Sequence, residues 1–283
     1  MNIPNILHEI EKVDPEVYDR MDTRRSALRN FGNLAGKISL AAIPVALGGL
    51  FKKSYAGEKG LNDTVVEILN YALTLEYLEA EFYAMGIAKG TALIPAGAPA
   101  AAIQTIGGHE TAHVNFLRTA ITGAGGAPVA KPKFDFSGAK GAGNGPFKDV
   151  FTSYALFLAV AQTFEDTGVR AYKGRAAEIV KGGDVLTAAL NIHSVEARHA
   201  AHIRQMRKAN AFGDVKPWIT GKDSGIGPSV QASYNGEELT NQAGIEIVNI
   251  NGKSISANAA SEAFDEPLTK AQVLAIVDPF IAP

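Results

Sequence analysis

The sequence predicts an all-α fold: a bundle of four helices with one long crossover connection, followed by a mostly irregular C-terminal extension. Apolar residues recur at helical spacing in four segments between residues 61 and 209. The connections between these segments are short, long and short in chain order. That order is typical of a bundle with one crossover and distinguishes it from a simple up-down bundle. Beyond residue 210 the composition changes to Gly, Pro, Ser and Asn, which ends the helical pattern.

The first two helices form a predicted hairpin. The first covers residues 61–89, where apolar residues three and four positions apart share one helix face. The second covers about residues 100–122, and the glycines at 123–126 terminate it. The connection between them, residues 90–99, is short and rich in Gly and Pro.

The third and fourth helices repeat this arrangement. They are predicted at about residues 146–175 and 184–209, with a break at Gly182-Gly183. The stretch between the two hairpins, residues 124–146, is crowded with Gly, Pro and Lys and shows no sustained period. We therefore expect a long surface connection there.

The C-terminal extension, residues 211–283, has little periodic structure. The Asn251-Gly252 pair stands between alternating apolar residues and predicts a small β-hairpin. Residues 268–280 indicate one short helix. We expect the extension to pack on the bundle, whose domain spans residues 57–210, as an irregular wrap.

The bulk composition excludes several classes of protein. The chain has 283 residues, 46% of them hydrophobic, which is enough to bury a sizeable core. A formal net charge of −2 gives no electrostatic reason to bind nucleic acid. The absence of cysteine excludes disulfides, thiolate metal sites and Fe–S clusters. Any metal ion must therefore be held by His, Asp, Glu or backbone oxygen atoms.

The N-terminal segment, residues 1–56, resembles a twin-arginine export signal. Arg24 and Arg25 precede an apolar run from Ile38 to Phe51. This run is shorter than the roughly 20 apolar residues that a membrane span needs. We expect an exported, periplasmic protein with no membrane span in its mature form. The alternative is an uncleaved amphipathic helix with a chance arginine pair.

Two of the helices carry the same motif, in which a Glu-x-x-His pair lies between two aliphatic residues. Positions three and four apart share one helix face, so each Glu and His is aligned with the apolar stripe that packs inward. A single Glu-x-x-His arises often by chance, but two copies on two apolar stripes do not. The motif residues are Ile106, Glu110, His113 and Leu117 in the second helix, and Ile192, Glu196, His199 and Ile203 in the fourth.

The first and third helices each add one inward-facing glutamate. These are Glu76 and Glu165, and a tyrosine stands seven residues after each of them, Tyr83 and Tyr172. The spacing from the single Glu to the Glu-x-x-His pair is similar in the two halves. The chain therefore resembles two copies of one helical hairpin.

Four carboxylates and two imidazoles are thus predicted to meet in the bundle core. Ionised carboxylates in a medium of low dielectric repel one another and are costly to desolvate. Two divalent cations would balance the four negative charges, with one His nitrogen on each ion. Mixed carboxylate and imidazole ligation suits iron or manganese, so the predicted cofactors are two iron or two manganese ions.

At these residues the chain resembles the ferritin-like superfamily. The segments Leu-Glu-Tyr-Leu-Glu-Ala-Glu-Phe-Tyr (75–83) and His-Glu-Thr-Ala-His (109–113) look like the bacterial ferritin-like domain proteins related to plant desiccation-associated proteins. The resemblance spans about residues 61–210. It implies a ferritin-like four-helix bundle but no single reaction, because the superfamily includes ferroxidases, peroxidases, manganese catalases and oxygenases. The implied metal ligands are Glu76, Glu110, His113, Glu165, Glu196 and His199.

Several neighbouring residues have two interpretations. Glu79, one turn beyond Glu76, is either a seventh metal ligand or proton acceptor, or the partner of a buried Arg or Lys. Tyr83 and Tyr172 could hydrogen-bond a ligand carboxylate or pass an electron to the metal ions. The alternative is that they pack in the core with one satisfied hydroxyl. The remaining histidines are expected to surround the ligands or lie at the surface rather than bind metal; they are His109, His193 and His202.

The motifs favour an exported oxidoreductase whose dinuclear centre acts on peroxide, dioxygen or Fe²⁺. The partners expected are metal ions and a small oxidant, and a homo-oligomer is compatible with the sequence. The alternative function is a non-catalytic metal-binding or structural protein linked to stress or desiccation. Metal binding without consumption of an oxidant would select this alternative.

Overall fold

The computed structural model describes residues 59–179 and 183–283. Four long helices dominate the first part of this range, paired as two hairpins, α1 with α2 and α3 with α4. Contacts of α1 with α3 and of α2 with α4 join the hairpins into one bundle. The helices are α1 (Lys59–Ala88), α2 (Ala98–Gly123), α3 (Tyr154–Ala176) and α4 (Asp184–Ala209).

The predicted fold class is confirmed: the chain forms an all-α bundle with one long crossover and a mostly irregular extension. Both ends of α2 and of α4 lie within two residues of the predicted bounds, and a glycine, Gly97 or Gly183, stands immediately before each helix. The predicted export signal, residues 1–56, lies outside the described residues. Among the helices that are described, none is both long and apolar enough to cross a membrane.

The predicted start of the third helix is wrong by several residues. Residues 146–152 form turns, and α3 begins after Ser153, whose hydroxyl accepts a hydrogen bond from the Leu156 amide at 3.3 Å. A serine in this position satisfies one of the amides at a helix N-terminus. Phe147, which continues the apolar spacing of α3, instead stacks on Phe280 with ring centroids 5.7 Å apart.

The extension contains short elements joined by loops. Of its two short helices, α5 (Ala257–Ser261) was not predicted, and α6 (Lys270–Val277) confirms the short helix predicted at residues 268–280. Strand β1 (Lys133–Phe134) lies in the crossover and β4 (Ile281–Ala282) at the C-terminus. The two strands pair antiparallel and so connect the crossover to the extension.

Short 3₁₀ turns occur in the bundle and in the extension. They occupy Gly90–Ala92, Ala177–Ile179, Pro228–Ser233, Ile250–Gly252 and Asp278–Phe280.

A β-hairpin exists in the extension, but not where the sequence predicts it. Strands β2 (Asn241–Gln242) and β3 (Ile245–Glu246) pair antiparallel around a turn at Ala243-Gly244. Both turn residues have positive φ, +52° and +87°, as a two-residue hairpin turn requires. The Asn251-Gly252 pair instead lies in a 3₁₀ turn. It therefore forms a turn, as its sequence favours, but this turn does not connect two paired strands.

The face of α3 that carries Gln162, Asp166 and Arg170 is buried, although its residues are polar. The extension covers this face. The Arg170 guanidinium donates hydrogen bonds to the backbone carbonyls of Ser233, Asn235 and Glu266, all in the extension. It also lies 2.6 Å from the Glu237 carboxylate. A buried polar layer therefore attaches the extension to the bundle.

Candidate metal centre

The four bundle helices bring the six predicted ligands to one buried region. Helix α1 supplies Glu76 and α3 supplies Glu165, while α2 and α4 each supply a Glu and a His from their Glu-x-x-His pairs. All four glutamates are 0% exposed. The His199 and His113 side chains are 6% and 12% exposed, so the region is almost closed to water.

The ligand atoms fall into two overlapping groups, within each of which the atoms all lie within 4.8 Å of one another. We call these groups the first and the second position. Glu110 and Glu196 belong to both, so two carboxylates lie between the positions and can be shared by them. The first position consists of Glu76, Glu110, His113 and Glu196, and the second of Glu110, Glu165, Glu196 and His199.

In each group one imidazole nitrogen faces several carboxylates. His113 Nδ1 lies 3.1 Å from an oxygen of each of Glu76, Glu110 and Glu196. His199 Nδ1 lies 2.9 Å from Glu110 and 3.1 Å from Glu165. A ring nitrogen carries at most one hydrogen, so it cannot donate well to all these oxygens at once. Several oxygens therefore crowd one nitrogen, an arrangement that a cation bound between these atoms would satisfy.

Three carboxylate oxygens at this centre are buried and, within the described residues, accept no well-aligned hydrogen bond from the imidazole nitrogens that lie near them. They are Glu110 Oε1 and both oxygens of Glu196. A buried acceptor left without a partner costs about 1–3 kcal/mol. Carboxylate oxygen and imidazole nitrogen are good ligands for divalent iron and manganese. The donor set therefore fits the metal ions that the sequence implies.

Burial and mutual repulsion shift the pKa values of these groups. Burial raises the pKa of Glu165 to about 8, although the charge of His199 opposes the shift. Burial and the Glu196 charge hold the pKa of Glu76 well above its ordinary value. Burial would lower the pKa of His199, but the Glu165 charge and hydrogen bonds raise it to about 12. Without a cation the centre therefore retains protons, which metal binding would displace.

We expect the metal-free protein to lose stability as the pH rises from about 5 to about 9. The pKa of Glu165 is about 8 in the folded protein against an ordinary value of 4.5. Between these pH values the folded state binds this proton more tightly than the unfolded state, so the free energy of unfolding falls as the pH rises. The pKa of His199, about 12 against 6.5, adds a loss in the same direction. Thermal unfolding at several pH values measures the effect. A melting temperature that rises over this range would contradict it, and added Mn²⁺ should remove the fall.

Two tyrosines form reciprocal hydrogen bonds between the hairpins, each from one hairpin to a predicted ligand carboxylate of the other. The Tyr83 hydroxyl on α1 donates a hydrogen bond to Glu165 on α3, and the Tyr172 hydroxyl on α3 donates one to Glu76 on α1. Both tyrosines are also buried. Each side chain therefore packs in the core and hydrogen-bonds a carboxylate at the same time. Each hydroxyl orients a glutamate that belongs to only one position.

This crosswise pairing predicts selective effects on metal affinity. We expect Tyr83→Phe to weaken Mn²⁺ binding at the second position about 10- to 100-fold, the usual cost of losing a partner that orients a ligand. Tyr172→Phe should have the same effect on the first position, so each variant is the control for the other. Calorimetric titration with Mn²⁺ resolves the two affinities. Unchanged affinities in both variants would contradict the assigned role.

His109 extends the centre toward the surface. Its Nδ1 lies 3.0 Å from His199 Nε2, and the two rings stack with centroids 5.2 Å apart. Since His199 faces the carboxylates through Nδ1, its Nε2 is free to donate to His109. His109 itself is exposed, so it connects a buried ligand to solvent. This agrees with its predicted place around the ligands.

Glu79 is buried beside the centre but belongs to neither position. Its pKa is raised by burial and then by the charges of four other carboxylates, with Glu196 first among them. In the described part of the chain it forms no ion pair, so no buried Arg or Lys partner is found for it there. Its assignment as a seventh ligand stays a prediction.

Gly168 explains how this extra carboxylate fits. A Cβ atom at Gly168 would lie 3.3 Å from Glu79 Oε1 and 3.7 Å from Glu196 Oε2. The first contact is tight and the second is an ordinary van der Waals contact, so the missing side chain on α3 gives room mainly to Glu79 of α1. The two halves of the bundle are therefore not equivalent at this level.

The other two histidines lie away from both positions. His193 Nδ1 contacts the Val169 carbonyl at 2.9 Å, and His202 is exposed. The sequence did not single out Asp166, Arg170 or Arg204, which form the buried polar layer under the extension. For Asp166 and Arg170, which lie on α3, the sequence signal is the four-residue spacing of polar residues, which usually indicates a solvated face.

Comparison with known proteins gives one result. A family model described as Ferritin-like domain matches residues 64–209, which include every residue of the two positions. No curated protein and no solved structure matches.

Proposed function

This chain belongs to the ferritin-like domain family, and from that premise we propose that it is a dinuclear metal carboxylate protein holding two iron or two manganese ions. The single observation that carries the proposal is that Glu110 and Glu196 belong to both ligand groups. Shared carboxylates are what two closely spaced metal ions require. A single-ion site would need only one of the groups.

The charge balance supports two ions rather than one. Four buried carboxylates carry four negative charges when ionised, and two divalent ions neutralise them. One ion would leave two charges buried without compensation, which is costly. Histidine coordinates metal as the neutral ring, so His113 and His199 add ligand atoms without adding charge.

We further propose that the protein is an oxidoreductase that acts on peroxide, dioxygen or Fe²⁺. Two bound ions of iron or manganese would supply the electron transfer that carboxylates and imidazoles cannot perform. The residues of the chain hold the ions, orient the ligands through Tyr83 and Tyr172, and keep bulk water away by burial. His199 and the exposed His109 provide a hydrogen-bonded connection along which a proton can reach the solvent.

The proposed reaction is tested by measuring the consumption of oxidant. The protein is loaded with Fe²⁺ or with Mn²⁺, and the disappearance of dissolved dioxygen and of hydrogen peroxide is followed for each. Turnover of either oxidant above that of the free metal ions supports an oxidoreductase. Stoichiometric metal binding with no turnover would instead select the non-catalytic, stress-related alternative.

We also propose that the protein works outside the cytoplasm. The support is the sequence of residues 1–56, with its arginine pair and apolar run. A twin-arginine route carries proteins that are already folded, which suits a metal centre assembled inside the bundle. N-terminal sequencing of the protein recovered from the periplasm would locate a cleavage site.

A further inference from the structure

A second feature of the bundle core is a small apolar cavity next to the metal centre. Its volume is about 20 Å³, and all four bundle helices contribute to its wall. Nearly all the lining atoms are carbon atoms of aliphatic and aromatic side chains. Ala72, Leu117, Tyr172 and Ile192 are among the lining residues.

The cavity lies about one helical turn from the ligand layer. Ala72 precedes Glu76 by four residues, Ile192 precedes Glu196 by four, and Leu117 follows His113 by four. Four residues of α-helix correspond to about 6 Å along the axis. The Tyr172 ring lines the cavity while its hydroxyl donates to Glu76, so one side chain touches both the cavity and the first position.

Two of the lining residues, Tyr71 and Arg175, carry polar groups. The Tyr71 hydroxyl and Arg175 Nε are buried, and neither has a hydrogen-bond partner among the described residues. The Arg175 guanidinium lies over the Tyr71 ring, 5.7 Å from its centroid, and the Arg175 side chain is 13% exposed. The wall at Arg175 therefore reaches toward the surface, whereas the side chains of Ala72, Leu117 and Ile192 are apolar.

Size and polarity restrict what the cavity can hold. A cavity needs about 10–15 Å³ on this scale to hold one water molecule, so about 20 Å³ admits a molecule of two or three atoms and no larger organic substrate. Apolar cavities of proteins stay dry and take up apolar guests such as xenon. Against the side chains of Ala72, Leu117 and Ile192, hydrogen peroxide would lose its hydrogen bonds with water without replacement, which is unfavourable. Dioxygen has no such bonds to lose.

We propose that this cavity, lined by Ala72, Leu117, Tyr172 and Ile192, is the docking site through which dioxygen reaches the metal centre. This inference rests on the proposed function for the reaction that follows docking, but the binding of an apolar gas is a property of the cavity alone. Tyr71 and Arg175 mark the outer end of the route, and Tyr172 separates its inner end from the first position.

Xenon tests the cavity without any metal. Crystals of the full chain are pressurised with xenon, and we expect a xenon atom between Ala72, Leu117 and Ile192. Absence of xenon from this cavity would overturn the proposal, whatever the metal content of the crystals. Conversely, a protein that takes up xenon but no iron or manganese would leave the cavity assignment standing and contradict the dinuclear metal centre.

A substitution that fills the cavity tests the route. We expect Ala72→Leu to slow the consumption of dioxygen by the Fe²⁺-loaded protein at least about tenfold and to leave the consumption of hydrogen peroxide within about twofold. The matched control is Ala84→Leu, an exposed position on the same helix that does not line the cavity. Equal slowing of both oxidants, or no slowing of dioxygen in a variant that still binds metal, would overturn the proposal. If Ala72→Leu does not fold, the xenon result decides.

Discussion

Glu110→Gln is expected to remove nearly all bound metal from the protein, reducing the content from two ions per chain to almost none. Glu110 contributes to both positions, so the loss of its charge affects both ions. The amide of Gln keeps the size of the side chain but is a poorer ligand than a carboxylate and leaves the total negative charge one unit lower. Glu196→Gln should behave in the same way, and elemental analysis of each purified variant measures the effect.

Variants of the unshared glutamates provide the comparison. Glu76 belongs only to the first position and Glu165 only to the second, so Glu76→Gln and Glu165→Gln should each retain metal at the other position. Glu67→Gln is the outer control, because Glu67 is exposed and pairs with Lys270 at the surface. If the shared and unshared variants lose metal equally, the division into two positions with common carboxylates is wrong.

The second large effect concerns the attachment of the extension. Arg170→Met is expected to lower the free energy of unfolding by about 3–5 kcal/mol, the usual cost of breaking a buried ion pair from one side. The Arg170 and Glu237 side chains are 1% and 0% exposed, so the carboxylate would be left buried without its partner. The carbonyls of Ser233, Asn235 and Glu266 would also lose their donor. Denaturant unfolding of the metal-free protein measures the loss.

Two further variants separate the ion pair from simple loss of packing. Arg170→Met combined with Glu237→Leu removes both charges and should regain part of the stability. Lys270→Met breaks an exposed ion pair with Glu67 and should change stability much less than Arg170→Met does. A double variant less stable than Arg170→Met would show that the ion pair does not explain the effect.

Much of the fold was predictable because the apolar residues of α1, α2 and α4 recur at helical spacing and glycines lie near the ends of these helices. The start of α3 was not. Phe147 and Val150 continue the apolar spacing of α3, but Phe147 packs on Phe280, which is remote in sequence. Contacts of this kind are made by the tertiary fold, and local periodicity cannot distinguish them from a helix face. The same limit applies to the hairpin at Ala243-Gly244, whose sequence is a weaker turn signal than Asn251-Gly252.

The six residues of the two positions were predictable from their spacing along the helices. A Glu and a His that share the apolar face of a helix point into the core with that face. Which carboxylates are shared was not predictable, since that depends on how the helices pack. Nor was the crosswise pairing of Tyr83 with Glu165. The polar face of α3 at Asp166 and Arg170 has the pattern of a solvated surface, and only the path of the extension shows that it is buried.

The most direct test of the dinuclear centre is the metal content of the full chain, measured by elemental analysis after purification and after incubation with Fe²⁺ or Mn²⁺. The arrangement of Glu110 and Glu196 between two ligand groups predicts two ions of iron or manganese per chain. A protein that is isolated without metal and takes up neither added Fe²⁺ nor added Mn²⁺ would contradict it.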